Sequence, residues 1–298
     1  MDKVSIVTAT YNREKMLPRV YNSLINQTYK NIQWIIIDDG SKDNTKELVE
    51  RWKKENKIEI IYSYQENQGK HIAINNSFKY VNGYYYAVLD SDDEIIPNAI
   101  EILVNEWEKI EDKEAFVEVA GRCYKPEDKK LFGGWPNKDI LDSDELEGRF
   151  VYRIYDKFGL CRSEVIKKYP SPEIKGKFFP EAVIQGKYAR KYKTRYINIP
   201  LKAYYKDANN AITKSSKAIK NENIYLFADC LNNDLKYFKY DKKEFIKSII
   251  GISMCGFNLR LSLKEILNFG EDKNKKFLIV LGIPFGLGLY LLRRKNEN

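Results

Sequence analysis

Strand and helix signals alternate along the first 110 residues, and no other feature of the sequence constrains the fold as strongly. Short apolar runs predict four strands, at residues 4–8, 33–37, 58–62 and 84–89. Segments with helical spacing of apolar residues predict the intervening and following helices, at residues 18–26, 41–54, 71–80 and 97–109. This order predicts an α/β fold, with a mostly parallel sheet flanked by helices on both faces.

Polar segments follow three of the predicted strands, at residues 8–12, 38–41 and 90–93. Ligands of parallel sheets bind beyond the carboxyl ends of the strands, so these segments are expected to meet in one crevice. The last segment, Asp90-Ser91-Asp92-Asp93, brings three carboxylates to the exit of a strand. Because carboxylates are rarely buried without a partner, this cluster indicates a hard divalent cation. The alternative is a solvated acidic turn before the helix that begins near Pro97.

The residue composition narrows the choice of metal and of phosphate site. The only histidine is His71, and the four cysteines show no CxxC spacing, which argues against a Cys/His zinc site and favours reduced thiols. Oxygen-only ligands favour Mg²⁺ or Mn²⁺. The sequence contains no GxxxxGK[ST] and no GxGxxG motif, so phosphate binding would depend on the metal.

Aspartyl-phosphate phosphatases also carry an acidic DxD at a strand end. Their motif continues with Thr or Val and lies near the start of the chain. Here Glu94 occupies that position, and the motif follows the fourth predicted strand. These two departures make the phosphatase interpretation a poor fit to this sequence.

Five segments together resemble glycosyltransferase family 2. They are VSIVTATYN at 4–12, SLINQTY at 23–29, IIDDGSKDNT at 36–45, NQG at 67–69 and LDSDD at 89–93. Their order and spacing match the family over roughly residues 3–110. The resemblance implies a GT-A fold, a nucleotide-diphospho-sugar donor, a divalent metal (Mn²⁺ or Mg²⁺) and inversion at the anomeric carbon. We therefore expect a metal-dependent glycosyltransferase, with a UDP-sugar as the commonest donor of the family.

The resemblance also implies roles for individual residues in nucleotide binding. Thr8, Thr10 and Tyr11 would line the nucleoside pocket, and Asp39 would hydrogen-bond the base. Lys70 would meet the base or the phosphates, or it is a solvated loop lysine.

The acidic cluster completes the implied donor site. Asp90 would hold a ribose hydroxyl or a metal-bound water, with Ser91 beside it at the nucleotide-sugar. Asp92 or Asp93 would be the direct metal ligand.

The second half of the chain is expected to supply the general base and acceptor contacts. Glu181 resembles the acidic residue that opens a helix in this family, although Ala182 stands where many members have Asp. The alternative for Glu181 is a first-turn carboxylate that favours the helix dipole. Trp135 follows two glycines and would stack on an acceptor sugar, or it is an ordinary turn aromatic.

The C-terminal region differs in character from the rest of the chain. We expect a GT-A domain over residues 1–220, with a nucleotide-sugar-binding half (1–110) and an acceptor half (111–220), and then a helical, basic, membrane-associating region at 221–298. Residues 235–298 hold 13 basic and 6 acidic side chains. The apolar stretch 277–292 would span about 24 Å as a helix, short of the roughly 30 Å hydrocarbon core. A monotopic or re-entrant anchor is therefore expected, with a buried helix or an oligomer contact as alternatives.

These features predict a location and a class of partner. Asp2 and Lys3 lead directly into the first strand, so no signal peptide is expected, and the protein would lie in the cytoplasm, peripheral or monotopic on the inner face of the membrane. The acceptor would be a glycan or a lipid-linked glycan of bacterial surface polysaccharide synthesis. Nucleic acid is not expected, because the basic excess lies beside an apolar tail. The alternative function is a non-catalytic sugar-nucleotide-binding or scaffolding protein.

Overall fold

The computed structural model describes residues 1–174, 178–205 and 221–295. These residues form two compact units. The sheet unit comprises residues 1–174 and 187–205, and the helical unit comprises residues 178–186 and 221–295. The segment 178–186 therefore groups with the C-terminal helices, whereas the sequence had suggested one boundary near residue 220.

The first half of the sheet unit has the alternating order predicted from the sequence. Its parallel strands are β1 (Val4–Thr10), β2 (Ile32–Asp39), β3 (Glu59–Gln65) and β4 (Tyr85–Val88), in the spatial order β3-β2-β1-β4. The helices are α1 (Leu17–Ile25), α2 (Thr45–Glu55), α3 (Lys70–Ser77) and α4 (Ala99–Glu108), and the two-residue strand β5 (Glu94–Ile95) precedes α4. Every residue of β2 is buried, as expected for a strand covered on both faces.

The second half of the sheet is mixed. Its elements are β6 (Phe116–Tyr124), β7 (Ile140–Ser143), α5 (Glu145–Phe150), β8 (Lys157–Arg162), α6 (Ser163–Ile166) and β9 (Lys193–Ala203). Strand β8 lies antiparallel between β4 and β6, β6 is parallel to β9, and β5 and β7 pair antiparallel with β9. The α/β fold with flanking helices is confirmed, whereas the parallel arrangement is limited to the first four strands and the β6–β9 pair.

The strand directions bring the carboxyl ends of six strands to one edge. Because β8 is antiparallel to both β4 and β6, strands β6 and β9 run in the same direction as β4. One edge of the sheet, called here the carboxyl edge, therefore holds the carboxyl ends of β1, β2, β3, β4, β6 and β9. The acidic residues 90–93 lie on this edge, directly after β4.

The helical unit contains most of the remaining helices. They are α7 (Glu181–Ala189), which begins in this unit, α8 (Asn223–Asn233), α9 (Lys242–Asn258), α10 (Leu263–Leu267) and α11 (Lys273–Lys295). Its core contains Ile224, Leu231, Ile252, Ile266 and Ile279. Among the described residues of this unit there is no strand, in agreement with the sequence.

Helices α9 and α11 lie side by side. Gly282 lies against Ile249, and Gly286 lies against Ser253, because neither glycine carries a side chain to separate the two helices. Helix α11 has 23 residues and continues through Pro284, so it is longer than the 16-residue apolar stretch read from the sequence. By length and composition it is long enough to cross a membrane, and only 17% of its apolar window is buried.

Candidate active site

Strand β1 fixes the start of the acidic loop, residues 90–93, through the side chain of Thr8. The hydroxyl of Thr8 donates to the carbonyl oxygen of Leu89 (2.8 Å) and accepts from the indole N–H of Trp34 (3.0 Å). Thr8 is fully buried, at 0% exposed. Its hydroxyl is thus engaged in the core rather than facing a nucleoside, and Thr8 positions the chain immediately before the acidic loop.

Each carboxylate of the acidic loop lies against a cationic side chain of the protein. Two of these three cations, Arg13 and Lys202, were not identified from the sequence. The pairs are Asp90 Oδ1 with Lys70 Nζ at 2.7 Å, Asp92 Oδ2 with Arg13 Nη1 at 3.4 Å, and Asp93 Oδ2 with Lys202 Nζ at 2.8 Å. The loop is therefore largely neutralised by the chain itself.

Asp93 faces the protein interior. Its residue is 1% exposed, and its second carboxylate oxygen accepts a hydrogen bond from the backbone N–H of Tyr205 (3.3 Å). Burial raises the pKa of Asp93 to about 6, against the opposing effect of Lys202. The sequence had offered Asp93 as a metal ligand. Because both of its oxygens are engaged inside the protein, we instead assign it the role of anchoring the loop to β9.

Asp90 and Asp92 remain partly exposed at the carboxyl edge. Burial acts to raise the pKa of Asp90, but Lys70, Lys202 and Arg13 outweigh it and hold that pKa at about 2. Burial and the neighbouring charge of Asp90 raise the pKa of Asp92.

These two carboxylates fit a divalent cation of the Mg²⁺ or Mn²⁺ type, which binds through one or two carboxylates and fills its other positions with waters and phosphate oxygens. Within the described ranges, no group of three or more His, Cys, Asp or Glu side chains is placed to hold a metal by itself. Phosphate oxygens or waters would therefore have to supply the remaining ligands.

A second set of contacts holds the acidic loop from the side of α1. Arg19 donates from its guanidinium to the backbone oxygen of Asp92 (2.5 Å) and lies 3.5 Å from the centre of the Tyr205 ring. The Tyr205 hydroxyl in turn donates to Glu94 (2.7 Å). These contacts join α1, the acidic loop and the end of β9, and they involve residues far apart in the sequence.

The two aspartates at the end of β2 have different roles. Asp38 accepts hydrogen bonds from the Ser41 N–H and the Tyr62 hydroxyl, both at 2.7 Å, and so caps the loop that follows β2. Asp39 accepts three hydrogen bonds of 2.8 Å. Their donors are the backbone N–H groups of Gln68 and Gly69 and the side-chain amide of Gln65. Asp39 thus fixes the segment that leads into α3 and Lys70, and a contact with a base would be additional to these three bonds.

Polar groups at the end of β1 complete this part of the edge. The Thr10 hydroxyl is buried and, within the described part of the chain, has no hydrogen-bond partner; the same holds for the side-chain oxygen of Asn67. Tyr11 is 40% exposed, whereas Ser91 is buried. The carboxyl edge therefore holds Thr10, Tyr11, Asp39, Lys70 and the acidic loop, and their roles in binding a nucleotide-sugar stay predictions.

Two further predicted residues lie outside the acidic loop. Glu181 is the exposed first residue of α7 and belongs to the helical unit, so its role as a base stays a prediction. Trp135 donates its indole N–H to the Lys138 carbonyl oxygen (2.9 Å) and packs edge-on against Tyr196. These contacts fit a turn aromatic, the alternative considered from the sequence, and an acceptor contact stays a prediction.

The sequence matches a known family model. The model described as "Glycosyl transferase family 2" covers residues 5–169, more than half of the chain.

Curated relatives carry glycosyltransferase names. An uncharacterized glycosyltransferase of Haemophilus influenzae is 29% identical over 255 residues, 78% of this chain and 76% of that protein. An uncharacterized glycosyltransferase of Rickettsia typhi is 36% identical over 114 residues, 38% of this chain and 35% of that protein. A GalNAc(5)-diNAcBac-PP-undecaprenol beta-1,3-glucosyltransferase of Campylobacter jejuni is 27% identical over 49% of this chain and 46% of its own length. For the last two relatives, the matched region spans less than half of the protein.

Solved structures share the fold. S. aureus TarS in complex with UDP-GlcNAc superposes with a TM-score of 0.67 at 19% identity, over 90% of this chain and 79% of that one. A mannosyltransferase of Pyrobaculum calidifontis, in complex with GDP-Man and Mn²⁺, superposes with a TM-score of 0.54 at 15% identity, over 96% of this chain and 81% of that one. At these identities the likeness establishes the fold.

Proposed function

Because this chain belongs to glycosyl transferase family 2, we propose that it transfers a sugar, with inversion, from a nucleotide-diphospho-sugar to an acceptor hydroxyl. The observation that carries this proposal is the pair of partly exposed carboxylates, Asp90 and Asp92, with Lys70 and Arg13 against them. Two carboxylates and two cations at the carboxyl edge suit a metal-bound diphosphate.

The proposed donor is a UDP-sugar, used with Mn²⁺ or Mg²⁺. Two of the similar structures support this choice, since one contains UDP-GlcNAc and the other contains GDP-Man with Mn²⁺. The Thr10 hydroxyl, which has no hydrogen-bond partner among the described residues, and the exposed ring of Tyr11 would face the nucleoside.

The reaction requires stabilisation of the leaving nucleoside diphosphate as negative charge develops on it. A divalent cation bound at Asp90 and Asp92 would act there as a Lewis acid. The chain's own contribution is the ammonium group of Lys70 and the guanidinium of Arg13, which lie beside the same carboxylates and would pair with phosphate oxygens.

The acceptor hydroxyl must also lose a proton, which requires a general base. His71, the only histidine, is buried in α3, and this burial lowers its pKa. A carboxylate is therefore the better candidate, and we propose Glu181, which is exposed at the start of α7.

A donor screen tests the proposed function directly. The protein, Mn²⁺ and a panel of nucleotide-diphospho-sugars are incubated with and without candidate acceptors, and release of nucleoside diphosphate is measured. At least one donor is expected to be consumed. Binding of a donor with no release under any condition would instead support the non-catalytic sugar-nucleotide-binding alternative.

A second experiment tests the assignment of Glu181 as the general base. Glu181→Gln is expected to abolish transfer while UDP binding stays nearly unchanged, because the substitution removes only the proton acceptor. Glu173→Gln, which alters another exposed carboxylate in the preceding segment, is the matched control and should keep full turnover. Full turnover by Glu181→Gln would contradict the assignment.

The proposed acceptor is a glycan or lipid-linked glycan at the inner face of the membrane. The support is α11, which exposes a row of large apolar side chains: Phe277, Leu281, Phe285 and Leu292. Lysines precede this row and Arg293, Arg294 and Lys295 follow it, which suits contact with anionic lipid head groups. One relative is also named for an undecaprenol-linked acceptor.

A further inference from the structure

The contact between Lys70 and Asp90 differs from the other two ion pairs of the acidic loop. Lys202 and Asp93 are withdrawn from solvent, with side chains that are 12% and 1% exposed. Lys70 and Asp90 are more open, at 24% and 37%, although their charged atoms are only 2.7 Å apart. If the ammonium group of Lys70 leaves Asp90, both charges therefore remain in contact with solvent, and neither is buried without a partner.

The backbone at the start of α3 sets the position of Lys70. Lys70 is the first residue of α3, and the preceding Gly69 has a φ of +99° and donates its N–H to Asp39. The backbone at the base of the lysine is thus held, while its four-carbon stem remains flexible. A side chain of this kind can exchange one anion for another nearby without movement of the helix.

The charge balance of the loop limits the binding of a metal by itself. Three carboxylates already face three cations, and Arg19 adds a fourth positive charge at the backbone of Asp92. A divalent cation alone would add positive charge to a site that has no excess of negative charge. A nucleoside diphosphate that arrives together with the metal would correct this imbalance.

We propose that Lys70 is an internal counterion that pairs with Asp90 in the free enzyme and moves to the diphosphate when nucleotide binds. Asp90 is released for the metal only when Lys70 has a phosphate to pair with. Metal and nucleotide therefore bind cooperatively, and each raises the affinity for the other by the same factor. This inference rests on the proposed donor site. It adds an ion pair, Lys70 with Asp90, that couples the binding of the metal to the binding of the nucleotide.

The test measures metal binding without turnover. Mn²⁺ is titrated by calorimetry and electron paramagnetic resonance into the wild-type protein and Lys70→Gln, and UDP is then titrated with and without saturating Mn²⁺. Lys70→Gln is expected to bind Mn²⁺ alone about tenfold more tightly, because a positive charge beside the ligand is gone. The same variant is expected to bind UDP in the presence of Mn²⁺ about tenfold more weakly, since the phosphate loses its partner.

Two further variants separate charge from structure. Lys70→Arg keeps the positive charge and should retain the weak Mn²⁺ binding of the wild type. Lys53→Gln removes the same charge from an exposed pair with Glu50 near the end of α2 and should change neither affinity. Circular dichroism checks that each variant is folded.

The outcomes distinguish this inference from the proposed function. If UDP binds the wild type with Mn²⁺ but Lys70→Gln leaves the affinity for Mn²⁺ alone unchanged or lowers it, the counterion role is wrong and the donor site stands. If the wild type binds neither UDP nor GDP with Mn²⁺, the proposed function and this inference are both overturned.

Discussion

Asp93 and Lys202 form an ion pair inside the sheet unit, between the acidic loop and the last residues of β9. An isolated charge at such a depth is costly, so each member of the pair requires the other. The pair fixes the loop so that Asp90 and Asp92 remain at the surface of the carboxyl edge. Asp93 thus positions the other two carboxylates of the acidic loop.

Asp93→Asn is expected to destabilise the fold. The substitution leaves the ammonium group of Lys202 buried without a counter-charge, at a cost of about 3–5 kcal/mol. Urea unfolding of the wild type and the variant measures the loss. Asp93→Asn combined with Lys202→Met should recover most of it, and a loss below about 1 kcal/mol in Asp93→Asn alone would contradict the role given to the pair.

At the residue scale, the sequence identified the acidic motif and Lys70, but not the other cations of the site. Asp90 and Asp92 stand out because carboxylates follow directly on an apolar run. Arg13 precedes α1, Arg19 lies within α1, and Lys202 lies on β9. Only folding brings these three residues to the acidic loop. No local pattern marks such residues, because their partners are more than 70 positions away.

Among the elements, the turn after β2 shows how backbone geometry supports the site. Gly40 has a φ of +89°, a conformation that glycine adopts at low cost. A Cβ atom at this position would lie 2.9 Å from the backbone nitrogen of Asn67. The turn and the segment 67–69 are therefore packed too closely for any side chain.

Gly40→Ala is expected to lower the free energy of unfolding by about 1–3 kcal/mol, because it combines backbone strain with a clash. It should also weaken UDP binding, since the displaced segment carries the donors that Asp39 holds. Thermal unfolding and calorimetry measure the two effects. Gly288→Ala is the control, because a Cβ there meets no atom of the described chain within 4 Å; equal stability of the two variants would contradict the packing argument.

The elements of the first 110 residues could be predicted because strand and helix periods are local properties of the sequence. The second half of the sheet could not, since the insertion of β8 between β4 and β6 depends on pairings between distant segments. Strand β5 has two residues, too few for any pattern. The sequence also favoured a mostly parallel sheet because it showed only the alternating first half.

For the molecule as a whole, the helical unit carries an apolar surface on α11. Its buried side, with Ile279, Gly282 and Gly286, packs within the unit, and its other sides are exposed and apolar. An anionic membrane is the proposed partner of this surface. The alternative partner of this surface is a second copy of the chain.

The triple variant Leu281→Ser, Phe285→Ser, Leu292→Ser is expected to lose binding to anionic vesicles while its unfolding temperature stays nearly unchanged, because these side chains are exposed. Vesicle co-sedimentation measures this loss. A control triple variant, Tyr64→Ser, Tyr84→Ser, Tyr155→Ser, removes exposed rings from the sheet unit and should still bind. Continued sedimentation of the α11 variant would contradict the membrane role, and a shift of the wild type to a dimer that the variant lacks would identify the second copy instead.

Also at this scale, the resemblance to glycosyltransferase family 2 read from the first 110 residues is confirmed by the family model and the shared fold. The division into units was harder to predict. Residues 178–186, which include Glu181, group with the C-terminal helices although the chain returns afterwards to the sheet unit at β9. Sequence order alone does not reveal such an exchange between units.

The proposed function depends most on a metal-assisted diphosphate site at Asp90 and Asp92, and calorimetry can detect binding at this site. UDP is titrated into the wild type and into Asp92→Asn, each with Mn²⁺ and again with a chelator. UDP is expected to bind the wild type only with Mn²⁺, and this binding is expected to be lost in the folded Asp92→Asn variant. Equal UDP affinity in the two proteins with Mn²⁺, or the absence of any heat with UDP and with GDP in the wild type, would contradict the proposed site.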